Sequence, residues 1–285
     1  MLVTWNAVVQ DVVAYYDRKT QPILQRYGPG PRVHYHTGLL DDPAPLSSSI
    51  EELRRLLVAS QERMLWHAAD IWGAPTTLAA DVLDVGCGLG GGAIFWAQEF
   101  GAQVTAVTCV PSHVDWVARF AAKAGVASQV QPLLCDALAV PGESCFDAAV
   151  AVDSSSHLSR KEWFRRLSSL LRPGGHVFVL DCFLGQSEYQ ESFNRYWHTR
   201  IGTIAEYLVA AREAGLRAAS VEDISQRTEH FWTTTLALME AERRGKRLCP
   251  AQVAQREASA RAHTLMRRGL VVGGLRYALL NFVRG

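Results

Sequence analysis

Residues Asp84-Val85-Gly86-Cys87-Gly88-Leu89-Gly90-Gly91-Gly92 carry the strongest indication of the fold in this 285-residue chain. It follows an apolar run at 81–85 with the length of a buried strand, and it precedes a helical pattern at 93–100. Glycines at such a turn permit positive φ angles and let the backbone approach a ligand closely. Dinucleotide sites place a pyrophosphate at the helix N-terminus, whereas an acidic residue two positions before the first glycine favours a cationic or amino-acid group.

Short apolar runs alternate with helical patterns downstream of this turn, which predicts βαβ units and a parallel sheet in an α/β fold. The predicted strands are 81–85, 103–107, 129–134, 146–152 and 176–182. The predicted helices between them are 93–100, 112–124 and 160–171. We expect the run Arg172-Pro173-Gly174-Gly175 to end the last helix and reverse the chain into a strand.

Two helical regions flank this predicted core at 76–185. The N-terminal arm and cap, 1–75, holds a helix at 8–16, breakers at 28–31, an extended piece at 34–40 and a helix that begins with a capping box at Ser49 and Glu52. After the core come helical patterns at 189–197, 203–214, 228–244 and 251–268, with strand-like runs at 216–224 and 275–283. An insertion before the last strand predicts a lid with an added strand, 186–270, and a return to the core at 271–285. The lid would cover the carboxyl edge of the sheet, where open α/β sheets bind ligands.

Charge and composition narrow the classes of function. The formal net charge is +1, from 29 Lys and Arg against 28 Asp and Glu, which disfavours nucleic acid and anionic membranes as partners. The six cysteines form no CxxC pair and lack zinc-type His spacing, so no metal site is predicted. Without a leader-like N-terminus or a long apolar run, we expect a reduced, cytoplasmic protein without stable membrane insertion that acts on small molecules.

The glycine stretch resembles motif I of the class I S-adenosylmethionine-dependent methyltransferases, and further motifs follow in the order of that family. Segment 104–108 resembles its second strand, Leu134-Cys135-Asp136-Ala137 its third, and 146–150 with 171–175 its fourth strand and the following turn. The resemblance is close over 81–182. It implies a Rossmann-like fold with a mostly parallel, seven-stranded sheet, a reversed last strand, helices on both faces and a helical lid.

The same resemblance implies S-adenosylmethionine as the cofactor. Carried over position by position, it assigns cofactor binding to Asp84, Gly86, Gly88, Gly90, Asp136 and Ala137. In that family an Asp at the place of Asp136 contacts the adenine amino group.

One segment indicates a branch of the family. Thr108-Cys109-Val110-Pro111-Ser112-His113 is similar to the Thr-Leu-Ser-Pro-Asn-Gln segment of the branch that contains sterol, tocopherol, cyclopropane-lipid and prenyl-diphosphate C-methyltransferases. The chain is similar in this respect to geranyl diphosphate and teleocidin-type terpenoid C-methyltransferases. The likeness assigns the ribose hydroxyls to Thr108 and His113, where His113 stands in place of Gln.

The N-terminal arm resembles the same branch. Tyr15-Tyr16-Asp17 and Val33-His34-Tyr35 are similar to segments in which a Tyr closes over the methionine end of the donor. This implies a donor contact for Tyr16 and a place in the catalytic site for Tyr35, and Gln61 is similar in placement to a Gln that touches the donor. Packing of a helix stripe on the sheet is the alternative interpretation of Tyr15 and Tyr16.

Candidates for acceptor chemistry follow the fourth strand. Val152-Asp153-Ser154-Ser155-Ser156-His157 resembles a Glu-Ser-x-x-His pattern that lies over the donor methyl group, so Asp153 and His157 are candidate catalytic residues and Asp153 a candidate donor ligand. A helix-start cap is the alternative role for His157. Methylation of an alkene carbon leaves a carbocation, which needs aromatic faces or carboxylates and a weak base.

Aromatic side chains of the predicted lid suit such an acceptor. The candidate acceptor residues are Tyr189, Phe193, Tyr196, Trp197, Phe231 and Trp232, with core packing as the alternative. Arg195 and Arg200 are isolated candidates for holding a diphosphate.

The leading hypothesis is therefore a C-methyltransferase that acts on an alkene carbon of an apolar prenyl or terpenoid molecule in specialised metabolism, with cyclisation of the cation as a further step. Two alternatives stay open. One is an O- or N-methyltransferase in which His157 deprotonates the acceptor, and the other is a cyclase or regulatory protein that binds the donor without transferring its methyl group. The apolar arm at 8–16 also suggests a homo-oligomer, because it can cover a neighbouring subunit.

Overall fold

A seven-stranded sheet forms the centre of the computed structural model, which describes residues 7–45, 47–244 and 249–285. The strand order is β3-β2-β1-β4-β5-β7-β6. Strand β7 runs antiparallel to both neighbours, and the other paired strands run parallel. The strands are β1 Asp81–Val85, β2 Gln103–Thr108, β3 Val130–Leu134, β4 Phe146–Val152, β5 Leu171–Leu184, β6 Leu216–Asp223 and β7 Leu275–Arg284. The predicted mostly parallel sheet with a reversed last strand is confirmed.

Strand β5 differs most from its prediction, because it begins at Leu171 rather than at 176. The glycine-rich run that was expected to form a separate turn belongs to the strand, and Leu171 pairs with Phe146 across a register shift. Arg172 holds this end through ion pairs to Asp81 at 2.9 Å and Asp147 at 2.7 Å. The chain therefore passes from helix to strand without a loop.

Ten α-helices surround the sheet in the described part of the chain. They are α1 Ala7–Tyr27, α2 Ile50–Trp72, α3 Ala74–Thr77, α4 Gly91–Phe100, α5 Pro111–Lys123, α6 Arg160–Leu170, α7 Gln190–Trp197, α8 Ile204–Glu213, α9 Ser225–Arg243 and α10 Pro250–Val272. The predicted capping box at Ser49 and Glu52 is present at the start of α2. Helix α1 is longer than the predicted 8–16, since the breakers at 28–31 are what stop it.

The sheet separates two apolar layers. One layer holds Trp72, Phe95 and Trp96 together with residues of α9 and α10, and the other holds Trp163 and Phe164 of α6 together with Tyr207 of α8. Within 186–270, helix α8 packs against α6, and β6 lies at the edge of the sheet. The other helices of this region, α7, α9 and α10, lie near the predicted acceptor site. Part of the 186–270 region, 245–248, and the N-terminal residues 1–6, over which no leader was predicted, lie outside the described residues.

The segment between α1 and α2 crosses the carboxyl edge of the sheet. The predicted extended piece at 34–40 is not a sheet strand, because its backbone pairs with helices: Leu39 donates to the carbonyl of Ser60 and Leu40 to that of Arg227. This places His34, Tyr35 and His36 over the strand ends. None of the helices in the described ranges combines the length and hydrophobicity that a bilayer crossing requires.

Candidate active site

Two cavities meet at the carboxyl edge of the sheet. The first is called here the donor cavity, and residues at the ends of β1, β2, β3 and β4 contribute to its lining. Its lining includes the predicted cofactor residues Tyr16, Asp84, Gly86, Gly88, Thr108, His113, Asp136, Ala137 and Asp153. The parallel strands thus bring together four motifs that are far apart in sequence.

The glycine turn shapes the floor of the donor cavity. Gly86 and Gly88 have φ angles of 72° and 55°, in the left-handed region that favours glycine. A Cβ on Gly86 would lie 2.6 Å from the Cβ of Ser154, so a side chain there cannot fit without a shift. A Cβ on Gly88 would meet no atom within 4 Å, so the backbone there faces open space into which a ligand can approach.

Asp84 supplies a buried carboxyl beside this turn. Burial raises its pKa to about 7, and a hydrogen bond from the backbone of Ala93 opposes that rise. A cationic ligand group beside the carboxyl would favour the charged form. This chemistry fits the amino-acid end of S-adenosylmethionine.

His113 is oriented by a hydrogen-bond chain that starts on α1. The Thr20 hydroxyl donates to the carbonyl of Tyr16 at 2.9 Å, so its oxygen accepts from the Nε2–H of His113 at 2.9 Å. The Nδ1 of His113 then carries a lone pair and has no partner among the described residues, although it is buried. Burial lowers the pKa of His113 to about 4, so the ring is neutral. This nitrogen is enclosed in the free protein, so a contact between His113 and a ribose hydroxyl, the role implied by the Gln of similar sequences, stays a prediction.

Tyr16 and His157 are joined directly. His157 donates its Nδ1–H to the carbonyl of His198 at 3.1 Å, which leaves Nε2 to accept the hydroxyl proton of Tyr16 at 2.9 Å. Burial lowers the pKa of His157 to about 4, and burial raises the pKa of Tyr16. Both rings border the donor cavity and the second cavity.

The second cavity, called here the acceptor cavity, adjoins the first. The residues common to both are Tyr16, Tyr35, His36, Asp153 and His157. Beyond them the wall includes five aromatic side chains, Tyr27, Phe193, Trp197, Phe231 and Trp232. Four of the six predicted acceptor residues therefore line this cavity.

Two buried carboxyls, Asp153 and Asp181, lie in the wall of the acceptor cavity. Asp153 has a φ of 46° and accepts hydrogen bonds from the backbone N–H of Thr37 and the hydroxyl of Tyr277. Burial raises the pKa of both carboxyls, and the charge of Asp181 adds to the rise at Asp153. A cation in the cavity would favour the charged form of these carboxyls, which would in turn stabilise the cation.

Four predicted site residues do not line these cavities. Gln61 donates to the carbonyls of His34 and His36, so it supports the segment over the strand ends rather than the cavity surface. Gly90 packs toward Val117 of α5. Two aromatic candidates face elsewhere: the Tyr189 ring lies against Gly274, and Tyr196 donates to Ser259.

The cationic candidates Arg195 and Arg200 are exposed and line neither cavity, and Arg195 pairs with Glu191 instead. Sequence reasoning missed His36, Asp181 and His263. Asp181 had a usable signal, since it is an acidic residue inside the apolar strand pattern at 176–182. Among the described residues, no group of three or more His, Cys, Asp or Glu side chains is arranged to hold a metal ion.

Comparison with known proteins identifies the family of this chain. A family model described as a methyltransferase domain matches residues 82–175. The chain is 31% identical over 207 residues to the 27-O-demethylrifamycin SV methyltransferase of Amycolatopsis mediterranei. The matched region covers 70% of this chain and 72% of that protein. It is 28% identical over 240 residues to a geranyl diphosphate 2-C-methyltransferase of Streptomyces lasalocidi, with 78% of each chain covered.

A solved structure of a geranyl diphosphate methyltransferase in complex with GPP and sinefungin superimposes with a TM-score of 0.84 at 22% identity, over 99% of this chain and 100% of that one. At that identity the likeness shows the fold, which matches the sheet and helices described above. The sequence motifs and the curated methyltransferase relatives establish the cofactor as S-adenosylmethionine. The chain belongs to the class I S-adenosylmethionine-dependent methyltransferases.

Proposed function

We propose that this methyltransferase methylates an alkene carbon of a prenyl or terpenoid small molecule. The observation that carries the proposal is the wall of the acceptor cavity, which combines aromatic rings with two carboxyls and, among the described lining residues, includes no Lys or Arg. The bound donor supplies an electrophilic methyl group at its sulfonium. The protein must then tolerate a cation on the acceptor, and aromatic faces and carboxylates suit that task.

The protonation states of the histidines support carbon rather than oxygen as the methylated atom. The pKa of His157 is lowered to about 4 and that of His36 to about 3, in both cases mainly by burial. Bases this weak are poorly matched to removing the proton of an alcohol, because general-base catalysis is most effective when the pKa of the base lies near the working pH. They are strong enough to accept a proton from a carbocation.

A third cavity suggests where a polar end of the acceptor lies. It borders the acceptor cavity at Tyr27, Tyr35 and His263, and its wall carries Lys19, Arg26, Arg54 and Arg256. Glu242 pairs with Arg26 and Arg54, at 2.8 Å each, and the ammonium of Lys19 lies 5.3 Å from the Tyr15 ring centroid. This excess of positive charge favours an acceptor whose apolar chain occupies the acceptor cavity. The anionic end of that acceptor would occupy the third cavity, called here the basic cavity. The curated relatives named as geranyl diphosphate methyltransferases make geranyl diphosphate the first acceptor to test.

The test is product analysis with methyl-labelled S-adenosylmethionine and parallel acceptors. Geranyl diphosphate, geraniol and a phenolic natural product are each incubated with the protein, and the labelled products are assigned by NMR. We expect a new C–C bond, with geranyl diphosphate preferred over geraniol if the basic cavity holds the anionic end. Cyclic products would show that ring closure follows methylation. A methyl ether as the sole labelled product would overturn the proposal.

O-methylation is a second candidate, favoured by one specific observation. The relative with 31% identity is an enzyme named for an O-demethylated substrate, 27-O-demethylrifamycin SV. In such a reaction the Tyr16 and His157 pair would orient the hydroxyl group of the acceptor. The phenolic acceptor in the same experiment distinguishes this candidate from the first.

A further inference from the structure

The proposed reaction ends with loss of a proton, and the hydrogen bonds of the acceptor cavity indicate which group receives it. Five side chains in the described wall can act as bases: His36, Asp153, His157, Asp181 and His263. An imidazole nitrogen whose only lone pair accepts a hydrogen bond or is enclosed by packing is poorly placed to take a proton from a bound molecule, and so is a carboxyl that is already protonated or is stabilised by several donors. The partners of each group therefore separate the candidates.

Four of the five side chains are poorly placed by these criteria. The Nε2 of His157 accepts from Tyr16. Each oxygen of Asp153 accepts one hydrogen bond, and burial together with the charge of Asp181 raises its pKa to about 8, so this carboxyl is mostly protonated at neutral pH. Asp181 accepts three hydrogen bonds, from the hydroxyl of Ser155 and from the backbone N–H groups of Ser156 and Cys182, which stabilise its carboxylate and make it a poorer base. His36 uses Nδ1–H on the carbonyl of Thr37, and its Nε2 is sealed from the cavity by packing.

His263 of α10 is different. Its Nδ1–H donates to the carbonyl of Ser259 at 2.6 Å, four residues earlier on the same helix, which fixes the tautomer and leaves a lone pair on Nε2. That Nε2 makes no hydrogen bond to any described residue and is not sealed by packing. The ring borders both the acceptor cavity and the basic cavity.

The surroundings of His263 suit a cation. Its ring centroid lies 5.2 Å from that of Trp232, 5.8 Å from that of Trp197 and 6.2 Å from that of Tyr196. Aromatic faces attract positive charge while leaving no competing base. Burial lowers the pKa of His263 to about 4, and the charges of Arg26 and Lys19 lower it further in the same direction, so the ring stays neutral at physiological pH.

We propose that His263 is the base that ends the reaction by taking a proton from the methylated carbocation; the inference rests on the proposed C-methylation. The π electrons of the acceptor form the new C–C bond to the methyl carbon, and the C–S bond breaks with its electron pair left on sulfur as S-adenosylhomocysteine. The Nε2 lone pair then binds a proton from a carbon next to the cationic carbon. The electrons of that C–H bond form the new C=C bond, and the imidazolium passes its proton to water.

A weak base is sufficient for this step. The protons beside a carbocation are far more acidic than an imidazolium, so a His of low pKa accepts one readily. The nearby cations Arg26 and Lys19 then favour release of the proton from the ring. Because Asp153 and His157 border the donor cavity and His263 does not, methyl delivery and proton removal are assigned to opposite ends of the acceptor cavity.

The test is the substitution His263→Asn, which retains a side-chain N–H near the position of Nδ1 and removes the base. The wild-type protein and the variant are given labelled donor and geranyl diphosphate, and both S-adenosylhomocysteine and each methylated product are quantified. We expect the main wild-type alkene to fall about tenfold relative to the S-adenosylhomocysteine formed, with isomeric alkenes and water-trapped alcohols in its place. The matched control is His230→Asn on α9, a half-buried His beside Glu229 that lines neither cavity.

A second measurement does not depend on turnover. Nitrogen-15 NMR of the histidines at neutral pH should show His263 with a protonated Nδ1 and a bare Nε2. An unchanged product ratio in His263→Asn, or a protonated Nε2 in the wild-type protein, would refute the role of His263. If the wild-type protein forms only a methyl ether, the proposed C-methylation fails first, and the two failures are thereby distinguished.

Discussion

The donor cavity and the acceptor cavity share five side chains but are built in different ways. The donor cavity rests on backbone conformation at contiguous motifs, such as the positive φ angles of Gly86 and Gly88. The acceptor cavity is assembled from side chains of α1, α7, α9 and α10, which come from distant parts of the chain. A site of the first kind is vulnerable to one added methyl group, whereas a site of the second kind changes its specificity with individual side chains.

The largest expected effect concerns the donor cavity, whose shape depends on backbone conformation. Gly86→Ala places a Cβ 2.6 Å from that of Ser154, so we expect at least about a hundredfold loss in affinity for S-adenosylhomocysteine, measured by calorimetry. Gly101→Ala is the matched control, because Gly101 also has a positive φ, of 73°, but its Cβ would meet nothing within 4 Å. Equal losses in the two variants would contradict the argument from close approach.

The next effect separates acceptor chemistry from donor binding. Asp153→Asn removes a carboxyl that a cation beside it would convert to the charged form, while keeping a similar shape, and we expect kcat to fall about thirtyfold, on the scale of a lost charge-assisted interaction of roughly 2 kcal/mol. Donor affinity should change much less. Asp147→Asn, which removes a carboxylate paired with Arg172 at the far end of the sheet, is the control and should leave kcat near the wild-type value.

The pH dependence of donor affinity examines Asp84 alone. Its pKa in the free protein is raised to about 7, and a bound cationic group favours the carboxylate, so binding below pH 7 must release a proton. We therefore expect affinity for S-adenosylhomocysteine to fall as pH drops below about 7, by about tenfold per pH unit. Asp84→Asn should bind more weakly at pH 8 and show a flat profile, and a flat profile in the wild-type protein would exclude this role.

The smallest effect concerns the contact between the two cavities. Tyr16→Phe removes one hydrogen bond to His157, and a bond of roughly 1 kcal/mol corresponds to about a fivefold change in turnover. The double variant with His157→Asn should cost less than the sum of the single variants, because the two side chains act through the same contact. Full additivity would show that the pair is not coupled.

Much of the sheet was predictable from sequence because buried parallel strands appear as short apolar runs. Strands β1 and β4 were predicted at their observed bounds, and β2, β3 and β6 within one residue at each end. Strand β5 was not, since the glycine-rich run before it is typical of a turn and only pairing with Phe146 makes it part of the sheet. The roles of individual site residues stay predictions, and Gln61 shows why: the structure places it behind the surface that it was expected to form.

Many residues that line the donor cavity could be predicted from the sequence alone. Positive φ angles, strand ends and a carboxylate at a glycine turn are local properties, and a few consecutive residues encode each of them. The lining of the acceptor cavity became known only from the tertiary structure. Whether His263, Asp181 or Lys19 meets a ligand depends on helix packing and on which lone pairs other groups already occupy, and neither can be read from residues adjacent in the chain.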